Sequence, residues 1–295
     1  MRKILLTIVA VGFVLFAYQA NAAEIIPYGS FNYKLSNDEN SSGKSYSKLE
    51  DNGSSIGVEV IDLGVEGDTI TGFAKLEVGV DTDDSGSDTF DSKLAYVGLD
   101  SNMGSLSVGR QSHPFTDNIG GKTSIFNVYG GGSDWNYGSR SSNSMKFSTT
   151  QSGLTLDTIG IVDGSSTNTN AFDEFEVTIS TKLLGSDISV GYADDVNSDI
   201  SYWGVSGSTD LGSLTVSSSY TIYDAATDKY GLEATASYSI FSVGYGDKEG
   251  TGLAYTAGVS HDLNDSVSVY AEGEMTDLDS GSDTTSWSIG SKFTF

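Results

Sequence analysis

The feature that most constrains this chain is a two-residue rhythm that runs almost to its end. Between Ser266 and Met275, Val267, Val269, Ala271, Gly273 and Met275 fall on one face, and Ser268, Tyr270, Glu272 and Glu274 on the other. Tyr230, Leu232, Ala234, Ala236 and Tyr238 alternate in the same way with Gly231, Glu233, Thr235 and Ser237. So do Leu214, Val216, Tyr220 and Ile222 with Thr215, Ser217, Ser219 and Thr221, and Phe175, Val177, Ile179 and Leu183 with Glu174, Glu176, Ser180 and Lys182. Successive side chains of a strand point to opposite faces, so alternation over about ten residues specifies a strand with one apolar and one polar face. The pattern predicts sixteen strands, over 24–35, 54–63, 69–81, 89–99, 104–111, 140–150, 153–162, 174–184, 186–195, 198–209, 212–223, 228–239, 240–248, 252–263, 266–277 and 284–295. Tight polar turns such as Gln151-Ser152, Leu184-Gly185, Asp210-Leu211 and Asn264-Asp265 alternate with longer Gly/Ser/Asp loops such as 36–53, 82–88, 163–173 and 278–283.

Strands of this kind must place their apolar faces somewhere. After residue 22 no run of about 18 consecutive apolar residues occurs, so no membrane helix is expected. Short turns at one end and longer loops at the other are the layout of an outer-membrane barrel, in which closure pairs every backbone group that lipid could not satisfy. A soluble sandwich also alternates, but its apolar face is its core. Long strands whose other half is Ser, Thr, Gly, Asp or Glu suit a wet lumen better. The expected fold is all-β: a transmembrane antiparallel β-barrel of about sixteen strands. Composition agrees, with 36 Gly, 16 Tyr, 13 Phe and 2 Pro, a balance that favours many short strands over disorder.

Charge and residue usage exclude several functions. The 40 acidic and 15 basic residues give a formal net charge of −25, which repels phosphate backbones and excludes nucleic acid as a partner. With no Cys there is no disulfide framework, thiolate zinc site or cysteine nucleophile. His113 and His261, the two histidines, supply few parts for a metal site or triad, and no cofactor or metal is expected. Asp81-Thr82-Asp83-Asp84-Ser85-Gly86 resembles the start of a calcium loop, but Ser92 stands at its twelfth position, where a Glu is needed.

Residues 1–22 read as a secretory signal peptide rather than an anchor. Arg2 and Lys3 precede an apolar stretch from Ile4 to Tyr18, and Ala20-Asn21-Ala22 is a small-x-small cleavage site. Cleavage after Ala22 would remove two positive charges and take the formal charge from −25 to −27, leaving 23–295 as a single barrel.

The C-terminal strand places Trp287, Ile289, Phe293 and Phe295 on one parity and Ser288, Gly290, Lys292 and Thr294 on the other. A chain ending on Phe after alternate aromatics resembles the C-terminal signature of outer-membrane barrels. Further segments follow in order: Pro27-Tyr28-Gly29, Asp51-Asn52-Gly53-Ser54-Ser55-Ile56-Gly57, Ala95-Tyr96-Val97-Gly98-Leu99, Gly104-Ser105-Leu106-Ser107-Val108-Gly109-Arg110-Gln111, Pro114-Phe115-Thr116-Asp117 and Arg140-Ser141-Ser142-Asn143-Ser144-Met145-Lys146-Phe147. Together they resemble the Gram-negative general-diffusion porins over most of the chain. That resemblance implies a homotrimer of sixteen-stranded outer-membrane channels passing small hydrophilic solutes and ions. It implies that the barrel-assembly machinery reads the strand ending at Phe295. It also implies contact with outer-membrane lipid and lipopolysaccharide.

Residues 112–139 form the longest stretch without clean alternation, rich in Gly and containing Phe126, Tyr129, Trp135 and Tyr137. The resemblance makes this the third loop, folded inward to narrow the pore. The family sets carboxylates on that loop against a basic ladder on the opposite wall. Here the ladder is thinned: Ser55 and Ser30 stand where basic residues occur in relatives, Lys93 remains, and the loop's acids are Asp117 and Asp134. Parity places Lys75 and Glu77 in the lumen, and likewise Arg140 and Lys146. Arg110 shares the parity of Leu106 and Val108, so it must sit at a strand end or in a bend turning inward, because a lipid-facing charge costs about 2–4 kcal/mol at the bilayer midplane. The candidate lumen and constriction residues are therefore Lys75, Glu77, Lys93, Arg110, Asp117, Asp134, Arg140 and Lys146. A negative lumen concentrates cations, so the expected function is passive diffusion with a cation preference. The alternatives are a structural or adhesive barrel without an open pore and, further off, a barrel lipid hydrolase; no enzyme motif is present.

Overall fold

The computed structural model describes residues 23–64, 69–83, 89–131, 134–135, 138–162, 172–196, 198–225 and 227–295. The expected signal peptide and its cleavage site, the run Asp84-Ser85-Gly86 and Tyr137 lie outside the described residues. In chain order the strands are β1 (Glu24–Glu39), β2 (Ser45–Asp51), β3 (Ser55–Leu63), β4 (Ile70–Val80), β5 (Phe90–Ser101), β6 (Gly104–Ser112), β7 (Arg140–Gln151), β8 (Leu154–Ile161), β9 (Glu174–Leu183), β10 (Ser186–Asp195), β11 (Ile200–Leu211), β12 (Leu214–Asp224), β13 (Lys229–Tyr238), β14 (Phe241–Lys248), β15 (Gly252–Asn264), β16 (Val267–Leu278) and β17 (Thr284–Thr294).

From β3 onward each strand pairs antiparallel with the next, and β17 pairs with β1, so the sheet closes on itself. β2 and β3 are two halves of one wall strand. β1 pairs its residues 33–39 with β2 and its residues 24–30 with β3, which makes the wall a sixteen-stranded barrel. The interruption falls at Asn52-Gly53-Ser54, with Gly53 at φ +84°. The expected loop 36–53 is thus mostly strand, turning only at residues 40–44. Tyr46 and Leu49 are three residues apart, and that spacing hides the period of two.

The turns follow from local chemistry. Ser152 and Gly153 sit at φ 53° and 81°, and Leu184 and Gly185 at 53° and 87°. Positive φ at both central residues is the mirror-type turn whose twist matches that of the flanking strands.

The barrel is inverted relative to a soluble domain. Val97, Val108, Met145, Val190, Trp203 and Val205 are exposed on its outside, whereas Asn32, Ser36, Thr178, Ser206, Thr221 and Glu272 are buried inside. An apolar exterior of this extent is a liability in water and a match to lipid. At the closing seam Gly29 N donates to Phe295 O at 3.0 Å, and Phe295 N donates to Gly29 O at 3.1 Å. The Phe295 ring stacks on Phe31 with centroids 6.1 Å apart.

Candidate functional site

β6 is short because the chain leaves the wall after Ser112 and returns at Arg140. Between them lie helix α1 (Pro114–Asn118) and a 3-10 turn, Gly120–Lys122. Proline at the first helical position suits a helix start, where its missing N–H costs nothing. The segment 113–139 is held against the inner wall by two kinds of seat.

The first seat is apolar. Phe115 and Ile119 are 1 % and 0 % exposed and pack with Ala193 and Tyr202. They fit because Gly191 and Gly204 face each other across β10 and β11. A Cβ at Gly204 would lie 2.8 Å from both Phe115 and Ile119, so the wall must be bare there. At its edges Asn118 Nδ2 donates to Thr178 Oγ1 at 2.7 Å and to Asp157 Oδ2 at 3.0 Å, and Ser206 Oγ donates to Asn118 O at 2.7 Å.

The second seat is built from wall carboxylates. Glu272 on β16 accepts from Asn127 N at 2.6 Å, Asn127 Nδ2 at 3.0 Å, Val128 N at 2.8 Å and Tyr129 N at 3.2 Å. Three successive amides around one carboxylate form an anion nest. Glu274 accepts from Gly130 N at 2.9 Å and from Thr256 Oγ1 at 2.9 Å. Tyr129 Oη donates to Asp38 at 2.8 Å; burial and that carboxylate hold its phenol well above the usual range. Glu233 on β13 accepts from Thr123 Oγ1 at 2.7 Å. Beside Glu233 lies Asp134, 5 % exposed, which accepts from Ser219 Oγ at 2.7 Å. Burial first, and the Glu233 charge second, push Asp134 up to about 7.

The expected site residues separate into groups. Lys75 and Glu77 point inward. Lys75 Nζ lies 3.3 Å from Glu59 and 4.8 Å over the Tyr28 ring, while Tyr28 Oη donates to Glu77 at 2.9 Å. Lys93 sits at a bulge where the β4–β5 register shifts beside Glu77. It lies 4.0 Å from Glu77 and donates to Gly53 O at 2.9 Å. Lys146 lies 3.8 Å from Asp117 on α1. Asp134, expected as a pore-facing acid, is instead sealed between loop and wall.

Arg140 also departs from its parity. β7 carries extra residues opposite β6: Gly109 pairs with Ser144, but Gln111 pairs with Ser141. Asn143 takes up the difference at φ +56°. Gln111 is buried inside with its amide on Ser144 and its Oε1 on Ser107, so its partner Ser141 faces inward. Parity therefore no longer decides the side of Arg140, which stands at the strand end, where its charge acts on Asp117 of α1. Arg110, expected in the lumen at a strand end or inward bend, instead keeps its outward parity midway along the wall, opposite Ala95. Its Nε donates to Ser92 O at 3.0 Å, and Nη1 lies 3.4 Å from Ser142 Oγ.

Sequence reasoning missed the anchoring acids Glu176, Glu233, Glu272 and Glu274, which read as ordinary polar-face residues. It also missed an array whose order is that of a hydrolase triad. His113 Nδ1 lies 2.5 Å from Glu176 Oε1, and His113 Nε2 lies 2.8 Å from Ser141 Oγ. One ring nitrogen thus meets the carboxylate and the other the serine hydroxyl. The imidazole is 0 % exposed, so no leaving group can reach it, and Glu176 also accepts the Phe115 amide at 3.0 Å. The arrangement ties down the start of α1.

Residues 7–292 match the sequence model of a family described as Gram-negative porin. No curated protein matches the sequence. Among solved structures, the anion-selective porin from Comamonas acidovorans superposes with a TM-score of 0.79 at 16% identity, over 93% of this chain and 100% of that one. A loop L8 deletion mutant of OmpT, an outer membrane protein of Vibrio cholerae, gives 0.75 at 17% identity, over 93% and 100%. OmpF of Salmonella typhi, in complex with daunomycin, gives 0.73 at 17% identity, over 92% and 97%. At such identities the likeness is one of fold.

Proposed function

The chain belongs to the Gram-negative porin family, and on that premise we propose that its third loop narrows an outer-membrane diffusion channel whose lumen favours small hydrophilic cations. The channel itself, passive and outer-membrane, is what the family and its fold supply. The cation preference is carried by one observation: three lysines of the narrowed region are paired with acids. Lys75, Lys93 and Lys146 each have a carboxylate, Glu59, Glu77 and Asp117 respectively, within 4.0 Å. An unpaired basic ladder would attract anions; a paired one leaves the surplus acids of the chain to set the local potential. Because an anion-selective porin shares the fold, the sign of selectivity has to come from such side chains and not from the barrel.

Reversal potentials across planar bilayers in a salt gradient test this. A cation-selective reversal is expected. An anion-selective one overturns the preference, and absence of conductance overturns the channel in favour of a structural barrel. We assign the Ser141–His113–Glu176 array an anchoring role and the chain no enzymatic one; labelling of Ser141 by a fluorophosphonate would reverse that.

Homotrimer formation belongs to the same reading. Arg110 points outward and pairs with Ala95, midway along β5. Facing lipid at that height would cost it about 2–4 kcal/mol, so cover by a neighbouring copy is the favourable alternative. Cleavage after Ala22, recognition of the Phe295 strand by the assembly machinery and contact with lipopolysaccharide complete the proposal.

A further inference from the structure

The carboxylates that hold the third loop are not alike. Glu176 faces an imidazole and an amide, and Glu272 faces three amides and an amide side chain. Glu233 instead faces another carboxyl, that of Asp134, and both are nearly sealed from solvent at 3 % and 5 % exposure. Two carboxylates in contact within a water-poor site cannot both be ionised cheaply.

Each element packed against the pair offers different groups. β12 brings the hydroxyls of Ser219 and Thr221 and the ring of Tyr223; Ser219 donates to Asp134, Thr221 accepts from Trp135 N at 2.7 Å, and Tyr223 stacks on Trp135 at 4.9 Å. β13 brings Glu233 itself and Lys229, whose ammonium lies 5.3 Å from the Trp135 ring. β14 brings Lys248, which donates to Asp134 O at 3.2 Å and lies 4.5 Å over the same ring. The loop's own turn brings Gly120 and Thr123, the latter bonded to Glu233. Among the described residues the ammonium of Lys248 acts directly on the pair, and it offsets at most one of two negative charges.

We propose that Asp134 and Glu233 share one proton, and that its release to solvent as pH rises frees the returning limb of the third loop from the wall that carries it, so that the limb moves into the passage and narrows it. The step moves a single proton and makes or breaks no covalent bond between heavy atoms. Thr123 and Asp134 come from opposite limbs of the loop and meet at Glu233, so one protonation event governs the attachment of both. Trp135, adjacent to Asp134, is held by the Thr221 hydroxyl, the Tyr230 carbonyl at 3.0 Å and the two lysines. It therefore moves with the pair.

The inference deepens the channel reading, and its test separates the two. The chain has three tryptophans; Trp203→Phe with Trp287→Phe leaves Trp135 as the sole emitter. In that background, Trp135 emission and single-channel conductance are followed from about pH 5 to about pH 9, a range in which unperturbed carboxylates no longer titrate. The expected result is one transition centred near 7, with emission moving to the red as conductance falls. Asp134→Asn, which can donate to Glu233 at any pH, is expected to abolish the transition and hold the low-pH state; Glu233→Gln is expected to do the same. A flat wild-type emission profile, or a transition that persists in both variants, overturns the proposal. A protein that shows the emission transition but conducts no ions retains the switch and loses the channel.

Discussion

The two limbs of the third loop are fastened by different physics. The outgoing limb is held by Phe115 and Ile119 pressed onto the bare backbone at Gly191 and Gly204. The returning part is held by acids: Glu272 and Glu274 under residues 127–130, and Glu233 with Asp134 beyond them. An apolar seat does not depend on charge and is insensitive to salt and pH. A carboxylate seat is directional and strong while its donors are in place, and it answers to protons. The loop thus has a fixed root and a conditional end.

The largest expected effect breaks the fixed root. Phe115→Ala should cost about 3–5 kcal/mol of local stability, the range for deleting a buried aromatic. Amide exchange of residues 115–119 should accelerate equally at low and high salt; a strong salt dependence would put charge where we place packing. Next, Glu272→Gln keeps one acceptor oxygen and should weaken the grip on Val128 and Tyr129 by roughly 1.5–3 kcal/mol, as for hydrogen bonds to a charged group. Their amides should lose protection while residues 115–119 keep theirs. Loss at both ends together would mean that the loop is a single unit.

A third difference is in pH. Asp134 is raised in the fold, so the native state keeps a proton that the unfolded chain releases. The stability of the returning limb should therefore fall as pH rises from the ordinary aspartate range, near 3.8, through about 7. Residues 115–119, on the apolar seat and away from the Thr123 contact with Glu233, should show no such slope, which amide exchange at two pH values would check. The smallest effect concerns Lys146→Ala. This half-exposed pair with Asp117 is worth at most about 1 kcal/mol, so stability should barely change while the reversal potential moves further toward cations.

Much of the barrel was legible because a strand writes its faces directly into sequence. Expected and observed strands agree to within two residues over 174–195, and the pattern at 266–277 became β16 at Val267–Leu278. Where parity failed, an extra residue had been inserted. Asn143 at φ +56° breaks the alternation between Lys146 and Arg140, and the register shift at Lys93 aims that side chain at Glu77. A bulge leaves no mark in a count of twos. The anchoring acids were illegible for another reason. Glu233 and Glu272 differ from any lumen carboxylate only in what lies above them, and that is set by the path of a loop with no period at all. Asp134 was singled out as a loop acid, but burial, which makes it distinctive, is a property of the packed pair.

Facing inward and meeting solute are different conditions in this barrel. Thr178, Ser189, Ser206 and Thr221 point to the interior and are between 0 % and 2 % exposed. They form a floor beneath the loop. On the channel reading proposed above, solute passes on the other side, between the loop and the wall that carries Tyr28, Lys75, Glu77 and Lys93, through a crescent whose two edges are lined by different strands. Engineering at the floor would alter how the loop is carried, and engineering along the crescent would alter what passes.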